Sequence, residues 1–305
     1  MRIFRDWRGL PAEARGASVA LGNFDGVHLG HAHLLRAARG ARPDVPLAVL
    51  TFEPHPREYF RPDDPPFRLT LAAERADALA ALGVTLLYEL PFTHEFSLII
   101  AEQFVVEVLH AGLGARHLTT GQDFAFGHRR GGGAGFLAAR AEARGRGFGA
   151  VPLVADAEGP LSSTRIRRAL QDGYPERATA ELGRPWAIRG LVAHGDARGR
   201  SIGFPTANVA LGQHLVPARG VYAVTARLAD GAVHKGVANI GRRPTFNAGL
   251  ESRLEVNIFD FDADLYDTEI TVSLHSYIRE ERKFAGLDAL KAQIAADAAE
   301  ARRLL

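Results

Sequence analysis

The chain has 305 residues, with 37 basic and 35 acidic side chains and a formal net charge of +2. An apolar fraction of 47% excludes a wholly disordered chain, and the length predicts one large or two medium domains. The absence of cysteine excludes disulfides and cysteine–zinc sites and predicts a cytoplasmic protein. The balanced charge predicts no nucleic-acid partner, and the lack of a long uncharged apolar run predicts no membrane span.

The first 160 residues alternate strand-like and helix-like segments. Short apolar runs predict strands at 18–24, 47–52, 84–90, 117–121 and 151–154. Helical spacing predicts helices at 31–38, 71–82, 101–109 and 135–144. This alternation is typical of a parallel sheet covered by helices on both faces. Two short helices are predicted to follow, at 163–170 and 176–182.

The pattern changes after Gly183, where consecutive strands replace the alternation. Strands are predicted at 186–193, 221–228, 233–240, 254–261 and 269–278, and a final helix at 287–305. The segment Ala229-Asp230-Gly231 predicts a hairpin turn. Strands joined by tight turns indicate a small antiparallel barrel. We therefore expect two domains, 1–183 and 184–305.

The most informative segment in the first half is Gly22-Asn23-Phe24-Asp25-Gly26-Val27-His28-Leu29-Gly30-His31, where the first predicted strand meets the first helix. Ligands of open α/β sheets bind at the carboxyl ends of strands, and a helix N-terminus attracts phosphate. His28 and His31 could both donate to phosphates and stabilise charge in a transition state. The alternatives are a glycine turn with two surface histidines, or a zinc site that includes His33.

Other segments of the first half also end strands or begin helices. Ser162-Ser163-Thr164-Arg165-Ile166-Arg167 predicts a capped helix start that binds an anion, or a capped helix with solvated arginines. Phe52-Glu53-Pro54-His55-Pro56 and Gly121-Gln122-Asp123-Phe124-Ala125-Phe126-Gly127 each follow a predicted strand and could close a pocket. Phe124 could stack on a ring or pack against the sheet edge.

The second half contains one glycine-rich, basic segment, at 195–208. Its glycines could bind phosphates through backbone N–H groups, and Thr206 and Asn208 could hold Mg²⁺; the alternative is an ordinary barrel loop. In the predicted strand at 254–261, Glu255 points away from the aliphatic face. Glu255 is either solvated or a base that accepts a proton from an alcohol.

Together these segments resemble, in order and over nearly the whole chain, the bifunctional riboflavin kinase/FMN adenylyltransferases of prokaryotes. The resemblance is also carried by Gly183-Arg184-Pro185, Gly220-Val221-Tyr222, Asn239-Ile240-Gly241, Arg243-Pro244-Thr245-Phe246, Asp264-Leu265-Tyr266 and Tyr277-Ile278-Arg279. It implies a Rossmann-like nucleotidyltransferase domain followed by a barrel with a terminal helix. It also implies riboflavin phosphorylation by Mg²⁺–ATP to FMN, and FMN adenylylation by ATP to FAD and pyrophosphate.

The resemblance assigns expected roles to individual residues. The catalytic residues are Glu255 in the kinase and His28 and His31 in the adenylyltransferase. In the adenylyltransferase, ATP is bound by Gly22, Phe24, Asp25, Gly30, Ser163, Thr164 and Arg167, and flavin by Pro56, Asp123 and Phe124. In the kinase, ATP is bound by Gly195, Arg200, Gly203, Thr206 and Asn208, flavin by Asn239 and Arg279, and Mg²⁺ by Thr206 and Asn208.

Three positions depart from the family pattern. Ala125 replaces a frequent arginine, Asn257 a frequent histidine, and Asp267 the usual glycine. None of these departures removes a residue with an assigned chemical role. Two alternatives stay open: a nucleotidyltransferase with another acceptor, and a non-catalytic flavin-sensing module. The sequence leaves open whether protomers assemble.

Overall fold

The computed structural model describes residues 1–194, 204–244 and 250–305. The chain forms two compact units. The first contains residues 1–64 and 70–161, and the second contains residues 65–69 and 162–305.

The first unit is built on a parallel sheet. Its strands are β1 (Arg2–Phe4), β2 (Ser18–Leu21), β3 (Leu47–Glu53), β4 (Leu86–Pro91), β5 (His117–Gly121) and β8 (Gly147–Val151). They lie in the order β1-β4-β3-β2-β5-β8, and every neighbouring pair is parallel. This architecture confirms the predicted fold class of the first half. Short two-residue strands are β6 (Ala125–Phe126), β7 (Gly132–Gly133), β9 (Ala155–Asp156) and β10 (Gly159–Pro160).

Helices cover both faces of this sheet. They are α1 (Leu29–Ala41), α2 (Pro56–Phe60), α3 (Ala72–Ala81), α4 (His94–Ser97), α5 (Ala101–Gln103), which continues as a π-helix over Phe104–Gly112, and α6 (Ala134–Glu142). Successive residues of β3 alternate between two apolar cores, with Leu50 in one core and Val49 in the other. Both faces of the sheet are therefore buried, which explains why its strands appear in the sequence as continuous apolar runs.

The last strand of the sheet lies earlier than predicted. The apolar run at 151–154 predicts a strand there, but β8 occupies Gly147–Val151. The reason is steric, because a Cβ atom at Gly147 would collide with the His117 ring on the neighbouring strand β5. Glycines that look like strand breakers in the sequence are required for this close strand pairing.

The second unit contains a closed antiparallel barrel. Its strands are β11 (Trp186–Ala193), β12 (Ala207–Ala210), β13 (Gly220–Arg227), β14 (Val233–Pro244), β15 (Leu250–Ile258) and β16 (Glu269–Arg279), in the closed order β11-β12-β15-β14-β13-β16. The predicted hairpin turn joins β13 to β14, with Gly231 at φ +89°. The barrel is thus confirmed, whereas β12 was not predicted, because it is short and its first two residues belong to the glycine-rich segment.

The described part of the same unit also contains the helices α7 (Ser163–Gln171), α8 (Pro175–Leu182) and α9 (Leu287–Leu304). Ile166 of α7 and Leu182 of α8 are buried in one apolar cluster with the barrel interior. This packing explains why α7 and α8 group with the barrel, although the sequence places a domain boundary after them. The domain limits 1–183 and 184–305 stay a prediction. The terminal helix packs on the outside of the barrel, where Ala301 contacts a cluster that contains Val221 and Val237.

Candidate functional site

The connection from β2 to α1 lies at the point where the strand order of the sheet reverses. Strand β2 pairs with β3 on one side and with β5 on the other. Ligands of open α/β sheets bind in the crevice that forms at such a point, beyond the carboxyl ends of the strands. The predicted segment from Gly22 to His31 therefore lies where this fold binds ligands.

The two predicted histidines form a reciprocal cap at the start of α1. The Nδ1 atom of His28 accepts a hydrogen bond from the backbone N–H of Gly30 at 3.1 Å. The Nδ1 atom of His31 accepts from the backbone N–H of His28 at 3.3 Å. Because both Nδ1 atoms are acceptors, each neutral ring carries its proton on Nε2. The rings are stacked with centroids 3.8 Å apart, so two N–H donors are fixed side by side.

The loop before this cap is tightly constrained. Phe24 and Val27 have positive φ angles of 53° and 44°, which are uncommon for residues with large side chains. A Cβ atom on Gly30 would lie 2.9 Å from the His28 ring, and a Cβ atom on Gly22 would lie 3.2 Å from the Phe24 ring. A side chain at Gly30 would therefore displace the His28 ring, and one at Gly22 would press on the Phe24 ring.

Asp25 is buried, and its carboxylate accepts hydrogen bonds from Thr70. The distances to Oδ1 are 3.0 Å from the Thr70 backbone N–H and 3.4 Å from the Thr70 hydroxyl. The Thr70 hydroxyl in turn accepts from the backbone N–H of Gly26 at 2.9 Å. Asp25 thus holds the loop in place, which is a contact that the sequence does not predict.

A third histidine repeats the same arrangement at the end of β3. The Nδ1 atom of His55 accepts from the backbone N–H of Arg57 at 3.0 Å, so its proton also lies on Nε2. Pro56 is the first residue of α2 and is half-buried. At the end of that helix, Phe60 is 63% exposed and lies 5.6 Å from the Phe92 ring. Sequence reasoning missed Phe60, because its spacing carries no periodic signal.

The predicted flavin residues after β5 are accessible. Asp123 is exposed, and Phe124 is half-buried with its ring stacked on Phe126 at 5.7 Å. Ala125 pairs with Gly133 in the hairpin of β6 and β7. Phe124 therefore packs on one ring neighbour and still exposes part of its surface.

The three remaining predicted residues of the adenylyltransferase lie on α7, in the second unit. Ser162 caps this helix by accepting from the Arg165 backbone N–H at 3.2 Å, which confirms the predicted capped start. Arg167 donates from Nε to the Phe67 carbonyl at 2.8 Å. Ser163 is half-buried and Thr164 is exposed.

The second unit has a cavity of about 310 Å³ between the outer face of the barrel and α9. Four of the predicted kinase residues line it: Thr206, Asn239, Glu255 and Arg279. Strand register explains the proximity of the last three, because it gives one row of facing residues across five strands: Asn208, Glu255, Asn239, Val221 and Arg279. The residues on either side of Glu255, Leu254 and Val256, point into the barrel core.

Hydrogen bonds organise the walls of this cavity. The Asn208 amide nitrogen lies 3.4 Å from the Thr206 carbonyl, and Asn257 donates to the Pro205 carbonyl at 2.8 Å. Asn239 donates to Glu281 at 3.2 Å. The other predicted kinase residues, Gly195, Arg200 and Gly203, lie outside the described residues.

Comparison with known proteins divides the chain between two family models. Residues 10–165 match the model for FAD synthetase, and residues 182–305 match the model for riboflavin kinase. A bifunctional riboflavin kinase/FMN adenylyltransferase of Pseudomonas fluorescens is 42% identical, covering 100% of this chain and 98% of its own length.

The chain belongs to the bifunctional riboflavin kinase/FMN adenylyltransferase family. Another member, from Bacillus subtilis, is 38% identical over 93% of this chain and 91% of its own length. A solved structure described as a macrolide-efflux protein from Streptococcus pneumoniae is 35% identical, with a TM-score of 0.88 over 100% of this chain and 99% of that chain. Among the described residues of this family member, no helix is long and apolar enough to cross a membrane.

Proposed function

We propose that the barrel cavity is the riboflavin kinase site and that the capped start of α1 carries the adenylyltransferase chemistry. Riboflavin kinase and FMN adenylyltransferase are the two activities of the family, and FMN and FAD are their products. The observation that carries the assignment is the row on the barrel, which brings residues from distant segments of the sequence to one cavity.

In the kinase, Glu255 is the group that would accept the proton of the riboflavin 5′-hydroxyl. Its side chain is exposed on the outer face of the barrel, where an alcohol can reach it. A carboxylate is a weak base for an alcohol, so most of the rate comes from positioning the hydroxyl against the γ-phosphate of ATP. Asn239 and Arg279 border the same cavity and would bind the flavin.

Thr206 and Asn208 fit a magnesium ion because they offer a hydroxyl and an amide oxygen, which are hard ligands. The contact of the Asn208 amide nitrogen with the Thr206 carbonyl leaves the amide oxygen as the acceptor for a cation. Bound with ATP, Mg²⁺ would neutralise charge on the phosphates. Gly195, Arg200 and Gly203 stay predicted ATP contacts.

In the adenylyltransferase, the Nε2–H groups of His28 and His31 would donate to the phosphates of ATP. Such donors stabilise the charge that develops when the FMN phosphate attacks the α-phosphorus and pyrophosphate leaves. Gly22, Phe24, Asp25 and Gly30 would shape the loop around ATP. Pro56, Asp123 and Phe124 would contact the flavin, together with the exposed ring of Phe60. Contacts from Ser163, Thr164 and Arg167 stay a prediction.

One incubation tests the proposal. The purified protein is mixed with riboflavin, excess ATP and Mg²⁺, and the flavins are separated by chromatography. Formation of FMN and then FAD supports both assignments. Flavin that stays bound without ATP consumption would instead favour a sensing module, and adenylylation of a different acceptor would favour another nucleotidyltransferase. A cytoplasmic location stays a prediction that cell fractionation tests.

A further inference from the structure

We infer that Asp297, on the terminal helix, is a positioning residue for riboflavin phosphorylation because it fixes the guanidinium plane of Arg279. The inference rests on the proposed kinase site, in which Arg279 borders the flavin. Nothing in the sequence marks Asp297, since it lies in an alanine-rich helix about five turns long.

The two side chains form a bidentate ion pair. Arg279 donates from Nε to Asp297 Oδ1 at 2.8 Å and from Nη2 to Oδ2 at 2.6 Å. The side chains are 20% and 5% exposed, and both line the cavity. Two parallel charge-assisted bonds fix the direction of a guanidinium as well as its position.

Further contacts leave this pair little freedom. The Gln293 amide donates to Asp297 Oδ1 at 2.7 Å, one helical turn before it, and so holds the carboxylate. Arg279 Nη1 donates to the Glu280 carbonyl at 2.8 Å. All three guanidinium nitrogens therefore donate, which fixes the plane of the group, and one N–H remains on each of Nη1 and Nη2. The Phe284 ring lies over this plane, with its centroid 5.8 Å from Arg279 Cζ, so the plane already receives an aromatic ring. Guanidinium planes stack on aromatic rings, and riboflavin carries a flat ring system.

This geometry predicts that the positive charge of Arg279 is not sufficient for riboflavin binding and that the fixed guanidinium plane is also required. A lysine at the same position has an ammonium group, which has no plane and cannot make the fork-shaped contact with Asp297. An asparagine at position 297 keeps the size of the side chain but loses the charge and one of the two acceptors. Arg279→Lys and Asp297→Asn each leave the outer surface of the barrel intact. Each of them removes the fixed guanidinium plane beside the cavity.

A purely structural alternative is that Asp297 only anchors α9 to the barrel. The helix offers a matched control, because a second bidentate pair joins it to the barrel. Arg302 donates to both carboxylate oxygens of Asp260, at 2.8 and 2.9 Å. Neither Asp260 nor Arg302 is among the described residues that line the cavity. Asp260→Asn therefore perturbs the attachment of the helix without touching the flavin site, and only slightly, because both side chains of this pair are largely exposed.

The experiment measures kcat and KM for riboflavin in the full-length protein with Asp297→Asn, Asp260→Asn or Arg279→Ala. For Asp297→Asn we expect the KM to rise about tenfold, which is the usual effect of losing a charged hydrogen bond, with kcat within about threefold. Asp260→Asn should leave both constants unchanged, and Asp297→Glu should recover part of the affinity. FMN adenylylation by the same samples verifies that the first unit is folded and active, and the retained kcat for riboflavin verifies that the barrel is folded.

Equal effects of Asp297→Asn and Asp260→Asn on KM would overturn the inference in favour of helix anchoring, and so would an unchanged KM in Asp297→Asn. An unchanged KM in Arg279→Ala would instead contradict the placement of riboflavin beside Arg279, which is the underlying proposal. If Asp297→Asn does not fold, Gln293→Leu removes the group that holds the carboxylate and should raise KM in the same direction. An unchanged KM in that variant overturns the inference.

Discussion

The imidazole rings of His28 and His31 are stacked 3.8 Å apart, and each accepts a backbone hydrogen bond on Nδ1. The helix cap therefore also sets the tautomer of both rings. A residue that would satisfy only the cap, such as asparagine, would leave no Nε2–H donor at this point. Structural and chemical roles of His28 can thus be separated by mutation.

We predict that His28→Asn lowers the rate of FMN adenylylation by about 10²-fold, because a preorganised donor to the transition state is lost. Asparagine is a good N-cap residue, so the melting temperature should stay close to that of the wild type. His28→Ala should lose the same activity and also about 1 kcal/mol of stability through the missing cap. Steady-state kinetics and thermal unfolding check the two effects. Wild-type adenylylation in His28→Asn would remove this histidine from the mechanism.

Asp267 has a φ angle of +59°. This left-handed conformation costs a residue with a Cβ atom about 1 kcal/mol, although aspartate tolerates it better than most. We predict that Asp267→Gly raises the stability of the protein by about 0.5–1 kcal/mol and that Asp267→Val lowers it by at least as much. The loss of the exposed 3.8 Å ion pair with His194 should matter little. Urea unfolding monitors both variants, and a destabilised glycine variant would contradict the interpretation.

Arg75 is fully buried and donates from Nη2 to both Glu53, at 2.8 Å, and Glu89, at 3.0 Å. We predict that Arg75→Met lowers the free energy of unfolding by about 3 kcal/mol, because it leaves the buried Glu89 carboxylate without its main partner. Arg5→Ala is the matched control, since exposed Arg5 lies 3.5 Å from the same carboxylate. Chemical denaturation should detect a lower free energy of unfolding for Arg75→Met and little change for Arg5→Ala. Equal midpoints for both variants would show that the buried pair is not stabilising.

The pKa values of His117, His110 and His275 are lowered from 6.5, in each case mainly by burial. The unfolded chain therefore binds protons at a higher pH than the folded chain does. We predict that stability is highest above about pH 6.5 and falls as the pH drops below it, by at most about 1.4 kcal/mol per pH unit for each histidine. His117→Gln should reduce the dependence of the unfolding free energy on pH below about pH 6.5. Above that pH, the unfolding free energy of the variant should run parallel to that of the wild type. An unchanged slope in unfolding titrations would show that His117 does not contribute.

The sequence was sufficient for the parts of the fold that depend on apolar patterns. The buried strands β3 and β4 and the alternating strand β13 were predicted close to their observed positions. Strand β8 was not, because its glycines serve a tertiary contact with His117 that no local pattern shows. Strand β12 was missed for a different reason, since it has only four residues and the first two also belong to a predicted binding segment.

The residues of the candidate site also fall into two groups: those that the sequence marks by their chemical type, and those that only the folded structure brings to the site. The chemical types of His28, Thr206 and Glu255 are enough to identify these three residues as candidates from the sequence alone. Their neighbours depend on strand register, which places Glu255 opposite Asn208 and Asn239 from different parts of the chain. Asp297 could not be predicted, because its importance arises only when α9 packs on the barrel and meets Arg279.

We propose two separate sites on one chain for two successive reactions, and Glu255→Gln distinguishes the two sites. Glutamine keeps the size of this exposed residue and one acceptor oxygen but cannot accept a proton. The variant is given ATP and Mg²⁺ with either riboflavin or FMN, and the products are separated by chromatography. We predict no FMN from riboflavin, a loss of at least about 10²-fold, and FAD formation from FMN at the wild-type rate. Loss of both reactions, or retention of both, would contradict the account.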